Sequence, residues 1–361
     1  MNKPLRLLVI CPSWVGDVVM ATPALGLLRR ELPGSLIGAM VRPGLDELLA
    51  GTGVVDEFHV VRPSGVMGPK HAAAKVRPRR YDAALLLTNS FSTALTTRLA
   101  GIPRRVGYDR DLRGLLLTDR LVAPRRPDGS WAPVPAVAYY LRAAWEGLLG
   151  RRDAMPQDQH MRLAVSDTER AAAERVLSMT PAGQAGQSER RIAVLNPGGN
   201  NPAKRWPAER FAVLGDHLAQ RHGLTVLING SPAEAPLCRS IAGQMKAVAS
   251  VLPDMGITLG SLKGVVSRAA VMVTNDTGPR HLAAAFGVPL VTLFGPTDHR
   301  WTTIPTHPTG PERIILADPT LPESELANDH PERCRIDRIE TIEVMSATDD
   351  VLERSRLAPM Q

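Results

Sequence analysis

Short aliphatic runs alternating with helical patterns, in two successive series, constrain this chain more than any other feature. In the first series "LRLLVIC" precedes the helical "VVMATPALGLLRREL", and "SLIGAMV" leads to a helix around "GLDELLA". "EFHVV" and "YDAALLLTN" follow as strands, the second of them ahead of a helix near "STALTTRLAG". Continuous aliphatic strands separated by helices predict a parallel sheet covered on both faces. Helices around "AVAYYLRAAWEGLLG" and "SDTERAAAERVLSM" come next, and Ser166 and Glu169 have capping-box spacing in the latter. "TPAGQAGQSER" then breaks the pattern and reads as a linker at about residues 180–190. Beyond it "RIAVLN", "LTVLING", "AAVMVTN" and "PLVTLFG" alternate with helices at "AERFAVLGDHLAQRH", "PAEAPLCRSIAGQM" and "PRHLAAAFG". The expected class is α/β, with two doubly wound domains at 1–180 and 190–340, which suits a length of 361 residues. In such a pair the loops at the carboxyl ends of both sheets line a cleft between the domains.

Charge separates the two halves. Residues 1–150 carry 20 Lys and Arg against 12 Asp and Glu, and the remainder 23 against 24, so the whole +7 excess lies in the first half. Much of it falls between Arg62 and Arg126. It is either a solvated basic face or a surface that meets an anionic partner. Nucleic acid is disfavoured as that partner, because no aromatic stacking platform interleaves the charges. Cys11, Cys238 and Cys334 are far apart and odd in number, which argues for a reducing compartment. The N-terminal apolar run soon meets Pro12, Ser13 and Asp17, so no signal peptide is expected, and no run reaches membrane-spanning length. A cytoplasmic protein is expected.

Four turns at predicted strand ends carry unusual residues. In "PSWVGDVV", Asp17 falls at the start of a helix, where an acid can cap N–H groups and meet the helix dipole. It can equally act as a general base, desolvated by Trp14 and Val15, with Gly16 letting an acceptor approach the backbone. In "NPGGNNPAKRWPAERF", Lys204 and Arg205 precede a helix with Pro207 at its first position. They suit a diphosphate or form a surface pair beside a packing tryptophan, Trp206. In "INGSPAEAP", Glu234 completes a capping box with Ser231 or accepts hydroxyls of a nucleotide. In "VTNDTGPRHLAAAFG", Asp276, Thr277 and Gly278 open a helix whose first N–H groups can hold a phosphate oxygen, with His281 one turn in. No Walker lysine motif, dinucleotide fingerprint, nucleophile elbow or strand-end Asp-x-Asp pair is present, which counts against kinases, dehydrogenases and serine hydrolases.

With those residues in place, the chain resembles the family 9 glycosyltransferases that use ADP-heptose. "PSWVGD", "TNSFSTAL", "AGIPRRVGY", "NPAKRWP" and "TNDTGPRHLAAAFGVPLVTLFGP" match in order from about residue 5 to beyond 300, with "PSWVGD" and "PAKRWP" closer to the II-type branch. The resemblance implies a GT-B fold, two Rossmann-like domains facing across a cleft, with acceptor in the first and donor in the second. It implies a helix at 341–361 that crosses back to the first domain, "DDVLERSRL" being part of it. It further implies inverting transfer of L-glycero-D-manno-heptose from ADP-heptose to an anionic lipopolysaccharide inner-core acceptor at the membrane surface, by a monomer without metal or other cofactor. Carried over by position, Asp17 is the base, Lys204 steadies the diphosphate and Glu234 binds the nucleoside. Asp276, Thr277 and Gly278 contact heptose and diphosphate, with His281 beside them. Ser13, Trp14, Gly16, Asn89 and Arg104 are the acceptor-binding candidates. Arg280 departs from the family pattern and is expected to add a cation beside the phosphate site. The alternatives are a different sugar nucleotide or acceptor on this scaffold, or a non-catalytic nucleotide-sugar binding protein.

Overall fold

The computed structural model describes residues 4–184, 191–305, 307 and 310–357, and the chain divides into two units. The first runs to Ala164 and includes Arg300–Thr303; the second begins at Val165.

The first unit contains, in order, β1 (Arg6–Ile10), α1 (Val15–Met20), α2 (Thr22–Glu31), β2 (Leu36–Val41), α3 (Asp46–Leu49), β3 (Glu57–Val60), α4 (Gly68–Val76), β4 (Ala83–Leu86), α5 (Phe91–Leu99), β5 (Arg104–Tyr108), β6 (Asp119–Leu121) and α6 (Ala136–Arg142). Its six strands are all parallel, in the order β3-β2-β1-β4-β5-β6. Leu7, Leu8, Val9 and Ile10 are all buried, because helices cover both faces of β1 and no residue needs to alternate outward. The single helix expected at "VVMATPALGLLRREL" is two, α1 and α2, broken at Ala21 ahead of Pro23. Proline in the first turn of α2 has no N–H to bond backward into α1.

The second unit contains α7 (Asp167–Ser178), α8 (Pro181–Gln184), β7 (Ile192–Asn196), α9 (Ala208–His222), β8 (Thr225–Ile228), α10 (Ala235–Gln244), β9 (Ala249–Val251), α11 (Leu259–Val266), β10 (Val271–Asn275), α12 (Gly278–Ala285), β11 (Leu290–Phe294), β12 (Glu312–Leu316) and α13 (Thr341–Leu357). Its sheet order, β12-β11-β10-β7-β8-β9, repeats that of the first when counted from β7. Both are the doubly wound order, and in each the chain reverses direction across the sheet beside its first strand. That switch point lies between β1 and β4 in one unit and between β7 and β10 in the other.

The crossing between units falls at 164/165, earlier than the expected linker, of which residues 185–190 lie outside the described residues. Helix α7 joins the second unit because it packs on α11, where the buried Lys263 pairs with Glu169 at 2.9 Å. The capping box at Ser166 and Glu169 forms. Helix α13 packs on α9 and on β10–β12 of the second unit, and Trp206 Nε1 donates to the Ile339 carbonyl just ahead of it at 3.0 Å. Among the described residues, no helix is long and apolar enough to cross a membrane.

Candidate active site

At the first switch point, the chain leaves β1 through Cys11, Pro12 and Ser13 and enters α1 with Trp14 as N-cap. Asp17 is the third residue of that helix rather than its cap. Trp14 is 60% exposed and gives the carboxylate little cover. The cover comes from Tyr140 of α6, only 7% exposed, whose hydroxyl donates to Asp17 Oδ1 at 2.9 Å. Burial and the Asp17 charge hold the Tyr140 phenol well above its ordinary pKa, so it stays a proton donor in this bond. Ser13, Trp14, Asp17, Asn89 and Tyr140 line one cavity of about 500 Å³, and Thr88, Ser90 and Thr93 add hydroxyls from the loop after β4 and the first turn of α5. Gly16 is buried at the second position of α1.

Asn89 is fixed from behind. Its Oδ1 accepts from Tyr139 Oη at 3.1 Å and from Arg113 Nη2 at 3.2 Å, which settles the orientation of the amide. Arg113 is fully buried, donates to the carbonyls of Tyr108 and Thr88, and is pushed down to about 10 by burial. Tyr139 stacks on Tyr108 with centroids 3.8 Å apart. In the sequence, Arg113 is one cation among the many between Arg62 and Arg126, and no motif singles out Tyr140. The "AYY" pair on an otherwise apolar helix was the available signal, since a buried phenol needs a partner.

Arg104 does not join this group. It starts β5, at the opposite end of the sheet from the switch-point loops, and its guanidinium is spent on Asp119 at 3.1 Å and the Gly147 carbonyl at 3.2 Å. The resemblance placed it by motif, and strand direction puts it at the wrong edge.

At the second switch point the loops after β7 and β10 meet. Lys204, on a 3₁₀ turn at Pro202–Lys204, pairs with Asp276 at 3.0 Å, and Thr297 donates to the same carboxylate oxygen at 3.1 Å. Burial alone would raise the Asp276 pKa, but Lys204 and Arg280 outweigh it and hold the carboxyl below its ordinary range. Thr277 is the N-cap of α12 and Gly278 its first residue. Three strand-end asparagines brace these loops. Asn196 donates to Thr274 and Thr277, at 3.1 and 2.8 Å, and accepts from Asn229 at 2.7 Å. Asn275 donates to the Pro197 carbonyl at 2.7 Å. "VLN", "LIN" and "VTN" carried that signal, because a polar residue closing an aliphatic strand must find a partner.

Glu234 serves the fold as well as any ligand. Its carboxylate accepts from Gly199 N, Ser231 N and Ser231 Oγ at 2.7, 2.8 and 2.9 Å, leaving about one lone-pair site. A Cβ on Gly198 would lie 2.4 Å from Glu234 Oε1, which explains the glycine there. His281 is 3% exposed, and burial, with Arg280 beside it, drives its pKa down to about 3. It stands in the site as a neutral ring, not as a cation. Arg280 does bring a charge, 3.9 Å from Asp276, but its head is buried in a two-point pair with Glu312 at 2.8 and 3.1 Å. Arg205 turns away to the Gly199 carbonyl, Trp206 is core, and Pro207 caps α9 rather than opening it.

Comparison with known proteins gives these two sites a family. The model for glycosyltransferase family 9 (heptosyltransferase) matches residues 71–331. The chain is 29% identical over 333 residues to lipopolysaccharide heptosyltransferase 2 of Escherichia coli K12, covering 86% of this chain and 88% of that one. It is 28% identical over 309 residues to lipooligosaccharide heptosyltransferase 2 of Haemophilus influenzae, covering 82% and 85%. The solved ADP-heptose lipopolysaccharide heptosyltransferase II of E. coli superposes with a TM-score of 0.78 at 27% identity, over 98% of this chain and 100% of that one. A family 9 glycosyltransferase from Veillonella parvula gives a TM-score of 0.79 at 22% identity, over 97% and 98%. The fold is GT-B. With the family pattern extending over most of the chain and both doubly wound sheets in place, the protein belongs to glycosyltransferase family 9, the heptosyltransferases.

Proposed function

We propose that this glycosyltransferase moves L-glycero-D-manno-heptose from ADP-heptose to the first heptose of the lipopolysaccharide inner core, with inversion at the anomeric carbon. The acceptor oxygen bonds to that carbon as the carbon's bond to the diphosphate breaks. The hydroxyl proton goes to Asp17, and ADP departs. The observation that carries the reading is the Asp17 carboxylate, held by a buried tyrosine in the lining of a switch-point cavity whose volume suits a small ligand.

The leaving diphosphate is met by Lys204 and by the opening N–H groups of α12, beside Asp276, Thr277 and Gly278. These are the chain's own charges and dipoles, and the reaction is proposed to run without a metal cofactor. The remaining acceptor site of Glu234 takes a hydroxyl of the nucleoside. The names of the E. coli and H. influenzae relatives support donor and acceptor. The basic first half suits an acidic glycan acting at the inner face of a membrane: Arg110 and Arg125 both lie 4.0 Å from the Trp131 ring, presenting two cations together. The enzyme is proposed to act as a monomer.

Incubation with ADP-heptose and heptosylated inner core tests this reading through ADP release. Absence of release with this pair, alongside release from another sugar nucleotide, transfers the scaffold to a different donor. Replacing Asp17 by Ala is expected to lower turnover by about 10²–10⁴-fold, the usual worth of a general base, while ADP binding is kept. Near-normal turnover in that variant refutes the base assignment.

A further inference from the structure

Away from the sheet ends, three side chains of the second unit converge without a part in the transfer chemistry. Helix α9 ends at His222 and carries His217 five residues earlier. The Nε2 atoms of both rings lie on a single oxygen, Oδ1 of Asp349 in α13, at 2.7 and 2.6 Å. The two rings meet edge to face, with centroids 5.7 Å apart. The histidine side chains are 13% and 10% exposed and that of Asp349 28%, so the cluster is sheltered but open to solvent on the carboxylate side. Arg221 Nε stands 3.3 Å from the other carboxylate oxygen, on the solvent side of the cluster.

We propose that His217, His222 and Asp349 form a binding site for a divalent transition cation of the Zn²⁺ class. Two imidazole nitrogens and one carboxylate oxygen are the donor set of borderline cations, whereas Mg²⁺ and Ca²⁺ take oxygen ligands throughout. The three ligand atoms all lie within 4.8 Å of one another. Tetrahedral bonds of about 2.0–2.1 Å need ligand atoms roughly 3.3 Å apart, so the present N···O contacts open by less than 1 Å to admit the ion. Each imidazole then turns an Nε2 lone pair to the metal and carries its proton on Nδ1, and water takes the fourth position.

The position assigns the site a structural role. Lys204 precedes the first turn of α9, while His217 and His222 lie about 14 and 21 Å further along its axis. A bound cation there would clamp the end of α9 to the middle of α13, the helix that closes the second unit, far from the diphosphate site.

The test uses the full-length, untagged chain, stripped with EDTA and titrated with ZnCl₂ by calorimetry and with CoCl₂ by visible absorption. One equivalent of Zn²⁺ is expected, with a raised melting temperature and a four-coordinate Co²⁺ spectrum. His217→Ala and the isosteric Asp349→Asn should each weaken binding at least 100-fold, the second guarding against a simple folding defect. Arg221→Ala should retain the site or tighten it, because a neighbouring positive charge is removed. Absence of binding at 100 μM Zn²⁺ overturns the proposal. So does binding as tight as that of the wild type in both His217→Ala and Asp349→Asn, since the ion would then sit elsewhere.

Discussion

The two switch points share a topology and differ in charge. In the first unit, the loops after β1 and β4 bring together a carboxylate, a buried phenol, hydroxyls and an amide, with the buried Arg113 behind them. In the second, the loops after β7 and β10 bring together Lys204, Asp276 and the opening turn of α12, braced by asparagines. Strand order decides where a ligand can sit, and the residues in the two turns decide what it can be. A carboxylate at one switch point can accept a proton; a lysine and a helix N-terminus at the other can hold an anion. On the proposed reading, one fold used twice divides proton transfer from leaving-group stabilisation.

That division has a direct consequence for paired variants. Asp17→Ala is expected to lower kcat by about 10²–10⁴-fold and leave the ADP dissociation constant within about twofold. Lys204→Ala should show the converse in binding, with ADP held about 10–100-fold more weakly, as expected for a lost charge-assisted contact. Calorimetry with ADP and steady-state kinetics on both proteins check the pair. If Asp17→Ala weakens ADP as much as Lys204→Ala does, the two sites do not have separate tasks.

A smaller effect separates the positioning of Asp17 from its presence. Tyr140→Phe removes only the hydroxyl that donates to Asp17 Oδ1. A hydrogen bond to a carboxylate favours its charged form, so its loss raises the basicity of Asp17 while freeing its orientation. The expected result is roughly a tenfold fall in kcat, together with an acid limb of the kcat/KM profile displaced to higher pH. An unchanged pH profile would make Tyr140 a packing residue.

Much of this was readable from the chain because buried parallel strands write themselves as unbroken aliphatic runs. "LLVI" and "VMVT" sit in the middle of the sheets and "VLI" one strand in from an edge, and β1, β10 and β8 appear where expected. The strands without that signature were missed. β5 begins "RR", β6 is "DRL", β9 is "ASV" and β12 is "ERIIL". They lie at or next to sheet edges, where exposed charges are compatible with pairing and the alternation is too short to read. The turns were visible as anomalies, yet their partners were not. Tyr140 lies 123 residues from Asp17, and Asp276 lies 72 from Lys204. Sequence spacing carries no information about such pairs until the sheet order is known.

The second switch point should also leave a signature in stability against pH. His281 takes its proton at about pH 3 when folded, below the ordinary 6.5, so over that window the unfolded chain binds a proton that the folded one refuses. Stability is therefore complete above pH 6.5 and falls as the pH is lowered toward 3, by at most about 1.4 kcal/mol per unit for one group. Urea midpoints measured at pH 7 and pH 5 should drop for the wild type and drop less for His281→Asn. Equal drops would mean that other groups set the acid sensitivity.

The smallest expected effect concerns Arg104, which sits one strand from Asn89 in order but at the other end of the sheet. Its pair with Asp119 is about 40% exposed on both sides, and such pairs contribute about 0–1 kcal/mol. Arg104→Ala should lower the urea midpoint slightly and leave kcat/KM for the inner-core acceptor within twofold. Arg113, buried against the Thr88 carbonyl and Asn89, provides the contrast. Arg113→Ala should destabilise the first unit by about 1–3 kcal/mol, because buried carbonyl and amide oxygens lose their donor. A large loss of acceptor turnover in Arg104→Ala at unchanged stability would restore that arginine to the site. It would also require the acceptor to reach the amino end of β5, a path that the switch-point geometry does not provide.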